Sequence, residues 1–406
     1  MENGKKLSYK SVVALGFLVY FFSYAMRLDY AAAIVAIVKD PVLNVDNSLA
    51  SLAVTGSFIT YGIGQIICGF IGDKVSPTKM MSLAMLGTII VNLSVSFCSN
   101  IWLITALWCI NGVCQAMLWP PLTRLVAELI GTERYSNAIT IVGLSASTGT
   151  IFIYLLVPFI LKYLTWRWVF RVMAFFGFII MLVWLYSTRN VKMGKAVAQV
   201  KTNDQKTISV WGLIMLAGLI PIFLAIATQG FLRDGIQTWL PSLVNETFPG
   251  LDESSSVLST AILPVFSMIC VLVANAIYNK LKHELKTAAV MYGIAFAASV
   301  PLIIFSKNLI VTLVAAALIS AAMHGVNHML ICLVPKNFAK YGMVSTFSGI
   351  LNACTYVGAS ISTYGFASVS ENYGWYVVLV CWFVLALVGT LVCTFKVKGW
   401  SRFIAK

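Results

Sequence analysis

Polar residues in this chain come in short islands, and between them lie apolar runs that each reach about the length of a bilayer crossing. Twelve such runs can be marked, at 11–38, 49–71, 80–98, 101–130, 138–161, 168–188, 210–245, 256–279, 287–306, 309–334, 342–369 and 374–395. About 20 mainly apolar residues span the hydrocarbon core as an α-helix. Only a helix or a closed barrel satisfies backbone hydrogen bonds there. The runs are continuous rather than alternating, which speaks against a barrel. The pattern predicts an all-α polytopic membrane protein of twelve helices. The first run lacks a small-residue cleavage site and reads as a retained span. The longest polar stretch, RNVKMGKAVAQVKTNDQKTIS, follows the sixth run. It predicts a cytoplasmic linker at 189–209 between a first half, 1–188, and a second, 210–406.

Composition agrees with this reading. The 406 residues are 60% hydrophobic and 10% charged, against about 25% charged in soluble domains. A net charge of +14 would suit a nucleic-acid binder. Its distribution gives another meaning, because lysine and arginine crowd alternate inter-span segments together with both chain ends. That is the positive-inside pattern. It places both termini in the cytoplasm, makes the bilayer of the cytoplasmic (inner) membrane the partner, and sets nucleic acid aside. The nine cysteines fall in or beside apolar runs, with no metal-ligand spacing. No phosphate loop, nucleophile motif or acid–base cluster points to an enzyme, a metal or a cofactor. A monomer is expected.

Two charges break the apolar pattern where charge is costly. Arg27 lies in the first run and Arg233 in the seventh, and an ionisable residue within a span is a functional candidate by default. They lie 206 residues apart, the same separation that links Asp73-Lys74 to Asn279-Lys280. Two landmarks at one offset indicate duplication into parallel six-span halves, which is typical of the major facilitator fold. The turn GFIGDKVSPTK after the second run is similar to the short loop signature of that superfamily. Asp73, with Lys74 and Arg134, is the candidate gate group, bracing through basic partners or a helix N-terminus.

Each arginine sits in a polar stripe. Tyr20, Tyr24 and Arg27 share one helix face, and Gln229, Arg233 and Gln237 share another. Asp29 lies about 200° around the helix from Arg27, and Asp234 about 100° from Arg233. Neither acid is expected as a same-face partner. Trp119-Pro120-Pro121 predicts a kink in the fourth span, with Trp119 as a pocket-lining residue and Arg124 pairing with Glu128 one turn on. The small-residue fifth span offers Ser145. His324 and His328, one turn apart with Asn327 between them, are candidates for carrying protons or donating to an anion.

The segments YFFSYAMRLDYAAAI, VCQAMLWPP and FLRDGIQTWLPSLV resemble the organophosphate:phosphate antiporters of the major facilitator superfamily. The resemblance implies twelve helices in two pseudo-symmetric halves that rock to give alternating access, exchanging inorganic for organic phosphate. It implies that Arg27 and Arg233 grip the substrate phosphate, with Tyr20 and Tyr24 beside them. A guanidinium suits this role, since its planar fork meets phosphate or carboxylate oxygens in two parallel bonds. The chain departs from the glycerol phosphate-transporting pattern in three places: Leu28 and Gln65 stand where lysines are found there, and Ser145 where a histidine is. Without those lysines, Arg27, Arg233, Asp29 and Asp234 sum to zero formal charge. The expected substrate is a monoanion, or a dianion accompanied by a proton on Asp29, Asp234, His324 or His328. Two alternatives stand beside a small organic phosphate transporter: a carboxylate:proton symporter, and a transporter-like sensor of sugar phosphate.

Overall fold

The structure, a computed structural model, describes residues 8–45, 47–191, 193, 209–248 and 262–405. Among these there is helix and no strand. Ten helices are long and apolar enough to cross a membrane, or eleven if one bent pair counts as a single span. In chain order the α-helices of the described residues begin with α1 (Tyr9–Val38), α2 (Asn47–Lys74), α3 (Pro77–Val95), α4 (Ile101–Ala116), α5 (Trp119–Ile130), α6 (Thr132–Tyr163) and α7 (Trp166–Thr188). There follow α8 (Val210–Ala217), α9 (Ile220–Thr247), α10 (Ile262–Leu281), α11 (Glu284–Ile304), α12 (Leu309–Asn327), α13 (Val344–Tyr373) and α14 (Trp375–Ala405). Between α12 and α13 the chain forms a π-helix, His328–Leu333, and a 3-10 helix, Val334–Tyr341. Most of the predicted linker and the start of the predicted 256–279 span lie outside the described residues.

The seventh predicted span is not one straight helix. The chain bends by 86° between α8 and α9. Gly218 takes a left-handed conformation, φ 57°, which ends α8 by bonding its N–H back to the last turn. Pro221 then opens α9, where a missing N–H costs nothing. Apolar residues flank the break on both sides, so hydrophobicity alone does not reveal it, whereas Gly218 followed by Pro221 carries the signal. At the predicted kink in the fourth span the helix is interrupted for two residues, with α4 ending at Ala116 and α5 starting at Trp119, within one span Ile101–Ile130.

The chain divides into two compact units, residues 1–200 with 338–350, and 201–337 with 351–406. The segment 338–350 thus groups with the first unit, whereas the linker-based division assigned it to the second half. In the first unit α1 packs on α6 and α7, α2 on α4, and α3 on α4 and α7. Tyr30, Trp108 and Phe170 form an aromatic core cluster, and the Tyr30 hydroxyl donates to Ala50 O at 2.9 Å. At one end Asp40 accepts from Trp166 Nε1 at 2.7 Å and from Arg167 Nη1 at 2.5 Å. Burial raises the Asp40 pKa, but Trp166, the Val42 N–H and Arg167 outweigh it and leave the carboxyl below its ordinary range.

In the second unit α9 packs on α12 and α14, α10 on α12, and α11 on α12 and α14. The buried Tyr292 hydroxyl donates to Ala225 O. At one end of this unit buried Glu284 accepts from Trp400 Nε1 at 3.1 Å and Asn337 Nδ2 at 3.2 Å, with Lys336 Nζ at 3.4 Å.

One backbone contact occurs once in each unit. A Cβ on Gly149 would lie 2.5 Å from Phe21 O, and one on Gly358 would lie 1.9 Å from Ala227 O. Only glycine lets the helices approach so closely. Phe21 and Ala227 are again 206 residues apart, so the packing repeats as well as the charges.

Candidate anion-binding site

In the first unit Arg27 is half-buried and its guanidinium lies over aromatic faces. The ring centroids are 3.8 Å away for Tyr61, 5.4 Å for Phe58 and 5.6 Å for Tyr24. A π face stabilises a cation without neutralising it. The rings continue from Tyr24 to Tyr20 at 5.1 Å and from Tyr20 to Trp119 at 4.8 Å. The structure therefore joins Tyr20, Tyr24, Arg27 and Trp119 into one wall. Tyr61 and Phe58 were not anticipated. The signal was present, since Phe58, Tyr61 and Gln65 fall on one face of α2.

Trp119 Nε1 and Gln65 Oε1 are among the buried polar atoms of this unit that lack a hydrogen-bond partner among the described residues. Gln65 Nε2 reaches Ala116 O at 3.5 Å. Ser145 is fully buried and its hydroxyl is used within its own helix, on Val142 O. Asp29 is fully buried; Oδ1 accepts from the Tyr30 N–H at 2.8 Å, and Oδ2 has no partner among the described residues.

In the second unit Arg233 is held differently. Its Nε and Nη2 donate to Asp234 Oδ1 and Oδ2 at 2.9 and 3.0 Å, and Nη1 donates to Asn327 Oδ1 at 3.3 Å. This corrects the expectation that Asp234 is no partner. Helical spacing separates the two Cβ positions by about 100°, but the long arginine side chain folds back across that angle to a neighbouring acid. Asn327 is thus part of the Arg233 environment. Gln229, one turn away, is fully buried, and its Nε2 has no partner among the described residues. Gln237, the third member of the predicted stripe, is exposed.

His324 faces Ser267. The Ser267 hydroxyl donates to Leu263 O at 2.8 Å, so it accepts from His324 Nδ1 at 3.1 Å. In the neutral ring this leaves Nε2 as the acceptor nitrogen. His328 is buried and its N–H still bonds to His324 O. The two histidines stay one turn apart, but the helix widens into its π segment from His328 onward, a feature frequent at functional sites.

Residues 13–363 match the Major Facilitator Superfamily. The chain belongs to this superfamily. A probable hexose phosphate transport protein from Chlamydia trachomatis serovar D is 30% identical over 153 residues, 37% of this chain and 33% of that relative. The membrane sensor protein UhpC of Escherichia coli K12 is 28% identical over 121 residues, 30% of this chain and 26% of the sensor. These curated relatives are thus matched over a third of their length or less. The solved outward conformation of FucP, an MFS transporter, superposes with a TM-score of 0.76 at 16% identity, covering 96% of this chain and 99% of that one. At that identity the likeness shows the fold.

The superfamily's loop signature is tied down in detail. Asp73 is buried and accepts the N–H groups of Ser345 at 2.9 Å and Thr346 at 2.7 Å, in the first turn of α13. Lys74 and Arg134, grouped with it from sequence, are both exposed. Arg124 takes the role of holding the loop, donating to Gly72 O at 2.7 Å and Val75 O at 2.8 Å and pairing with Glu128 at 2.6 Å. The sequence suggested only the pair with Glu128.

Proposed function

We propose that this protein is a secondary active transporter that moves a small organic phosphate or a related organic anion by alternating access. The observation that carries this reading is an arginine at matched positions of two duplicated halves, each inside an apolar span. The family match and the hexose phosphate relatives support it, and both set an enzyme aside. Arg27 and Arg233 are the residues proposed to bind the anionic group. Tyr20, Tyr24 and Trp119 complete the first wall. Gln229 Nε2, a buried donor one turn from Arg233, is chemically suited to an anion's oxygen. Coupling is to phosphate exchange or to protons, with Asp29, Asp234, His324 and His328 as the proton carriers to test. Asp73 is the proposed gate residue, and both termini are proposed to be cytoplasmic.

The test is counterflow in proteoliposomes preloaded with phosphate and offered labelled sugar phosphates, glycerol phosphate and carboxylates. Accumulation of an organic phosphate that requires internal phosphate is the expected result. Accumulation of carboxylates alone, driven by a pH gradient, would replace this reading with a carboxylate:proton symporter. A second reading, a sugar-phosphate sensor, is favoured by the likeness to UhpC. It predicts ligand binding without accumulation of any substrate.

A further inference from the structure

The first unit holds a second place suited to an anion, apart from Arg27. A cavity of about 690 Å³ lies where the start of α3 meets the end of α7. Ser76, Thr78 and Lys79 line it from α3, and Leu185, Thr188 and Arg189 line it from the other side. Both cations are exposed, and no acidic residue lines the cavity among the described residues. Buried Trp184 ties the two walls together, donating from Nε1 to Ser82 Oγ at 3.1 Å while Thr188 Oγ1 donates to Trp184 O at 2.7 Å.

The charges here are unbalanced in a way an anion would relieve. Lys79 stands in the first turn of α3, where the helix dipole already disfavours a cation. Ser76, the residue before that helix, bonds its hydroxyl to Thr78 Oγ1 at 2.9 Å and caps no backbone N–H. Two cations and the hydroxyl residues Ser76, Thr78 and Thr188 therefore line one space.

The wall beyond the cavity is apolar. Leu185 is 43% exposed, and Leu182 on α7 and Leu83 on α3 are exposed at 49% and 60%. In a membrane protein such aliphatic surface faces acyl chains. We propose that this cavity binds the headgroup of an anionic phospholipid. Its phosphodiester meets Lys79 and Arg189, and its acyl chains run along Leu83, Leu182 and Leu185. The positive-inside pattern assigns this end of the helices to the cytoplasmic leaflet. The proposal does not depend on which substrate is carried.

The experiment uses the full chain, purified and delipidated, with native mass spectrometry counting retained phosphatidylglycerol against phosphatidylcholine. Two cations at a membrane surface, each contributing about fivefold, give an expected preference of about 25-fold for phosphatidylglycerol. The Lys79→Gln/Arg189→Gln variant is expected to lose that preference. A control variant, Lys286→Gln, alters an exposed cation in the second unit and is expected to keep it. Both mutated side chains of the double variant are exposed, and an unchanged thermal melt checks that it folds. Equal phosphatidylglycerol retention by wild type and the double variant overturns the proposal. Displacement of the lipid by millimolar inorganic phosphate or glycerol phosphate also overturns it, by assigning the cavity to a soluble anion.

Discussion

Arg27 and Arg233 occupy matched positions of a duplicated chain, yet their surroundings differ in kind. Arg27 lies against the faces of Tyr61, Phe58 and Tyr24. Arg233 is clasped by Asp234 and Asn327. A ring face leaves the positive charge in place for an incoming anion, whereas a carboxylate competes with it. The two halves have thus kept the residue and differ in what is packed against it. If both arginines bind the substrate, Arg233 must exchange a carboxylate for it, which favours a monoanion.

The largest effect that can probe this comparison is loss of either fork. Arg27→Lys and Arg233→Lys are each expected to lower kcat/KM for counterflow by about 10- to 100-fold, since charged hydrogen bonds contribute about 1.5–3 kcal/mol. Expression should be unchanged. A wild-type rate in either variant excludes that arginine from the grip. Next in size is Asp73→Asn, which weakens the acceptor that holds the first turn of α13. Amide exchange at Ser345 and Thr346 is expected to rise about tenfold, on the scale of a lost helix cap. Asn279→Asp, at the matched position, should leave transport intact.

A smaller effect separates the two arginines directly. Asp234→Asn removes the competing carboxylate from a partly exposed pair, so the apparent KM for a dianionic phosphate is expected to fall about two- to fivefold. An unchanged KM would mean that Arg233 stays with Asp234 while substrate binds.

The smallest concerns the clamp at Asp40. Its folded pKa is lowered, so its contribution to stability is complete above the ordinary carboxylate range and disappears as pH falls through the lowered value. The melting temperature of the wild type should therefore drop more than that of Asp40→Asn when pH falls from 7 to 3. Parallel curves for the two proteins would show that the clamp contributes nothing measurable.

The helices were legible because a bilayer demands long apolar runs, and such runs are visible in a single sequence. The duplication was legible through two charged landmarks, and the contacts of Gly149 and Gly358 add a third in space. What escaped was decided by side-chain reach and backbone conformation. Asp234 was set aside on angular spacing, which describes where Cβ points and not how far an arginine extends. The break at Gly218 escaped because hydrophobicity does not register a left-handed residue. Lys74 adjoins Asp73 in sequence and Arg134 follows the fourth span, and both are exposed, whereas Arg124, within that span, holds the loop.

The glycine contacts also show where the halves differ in length. Phe21, Arg27 and Asp73 each find their counterpart 206 residues on, the N-cap Asn100 finds Asn308 208 residues on, and Gly149 finds Gly358 209 residues on. The second copy is thus longer by two residues between the loop signature and the start of α12, and by one more between there and the close helix crossing. The later interval contains the π-helix His328–Leu333. A π-helix closes its hydrogen bonds over five residues instead of four, so it holds one extra residue as a local swelling of the helix, beginning at His328, without moving the landmarks on either side.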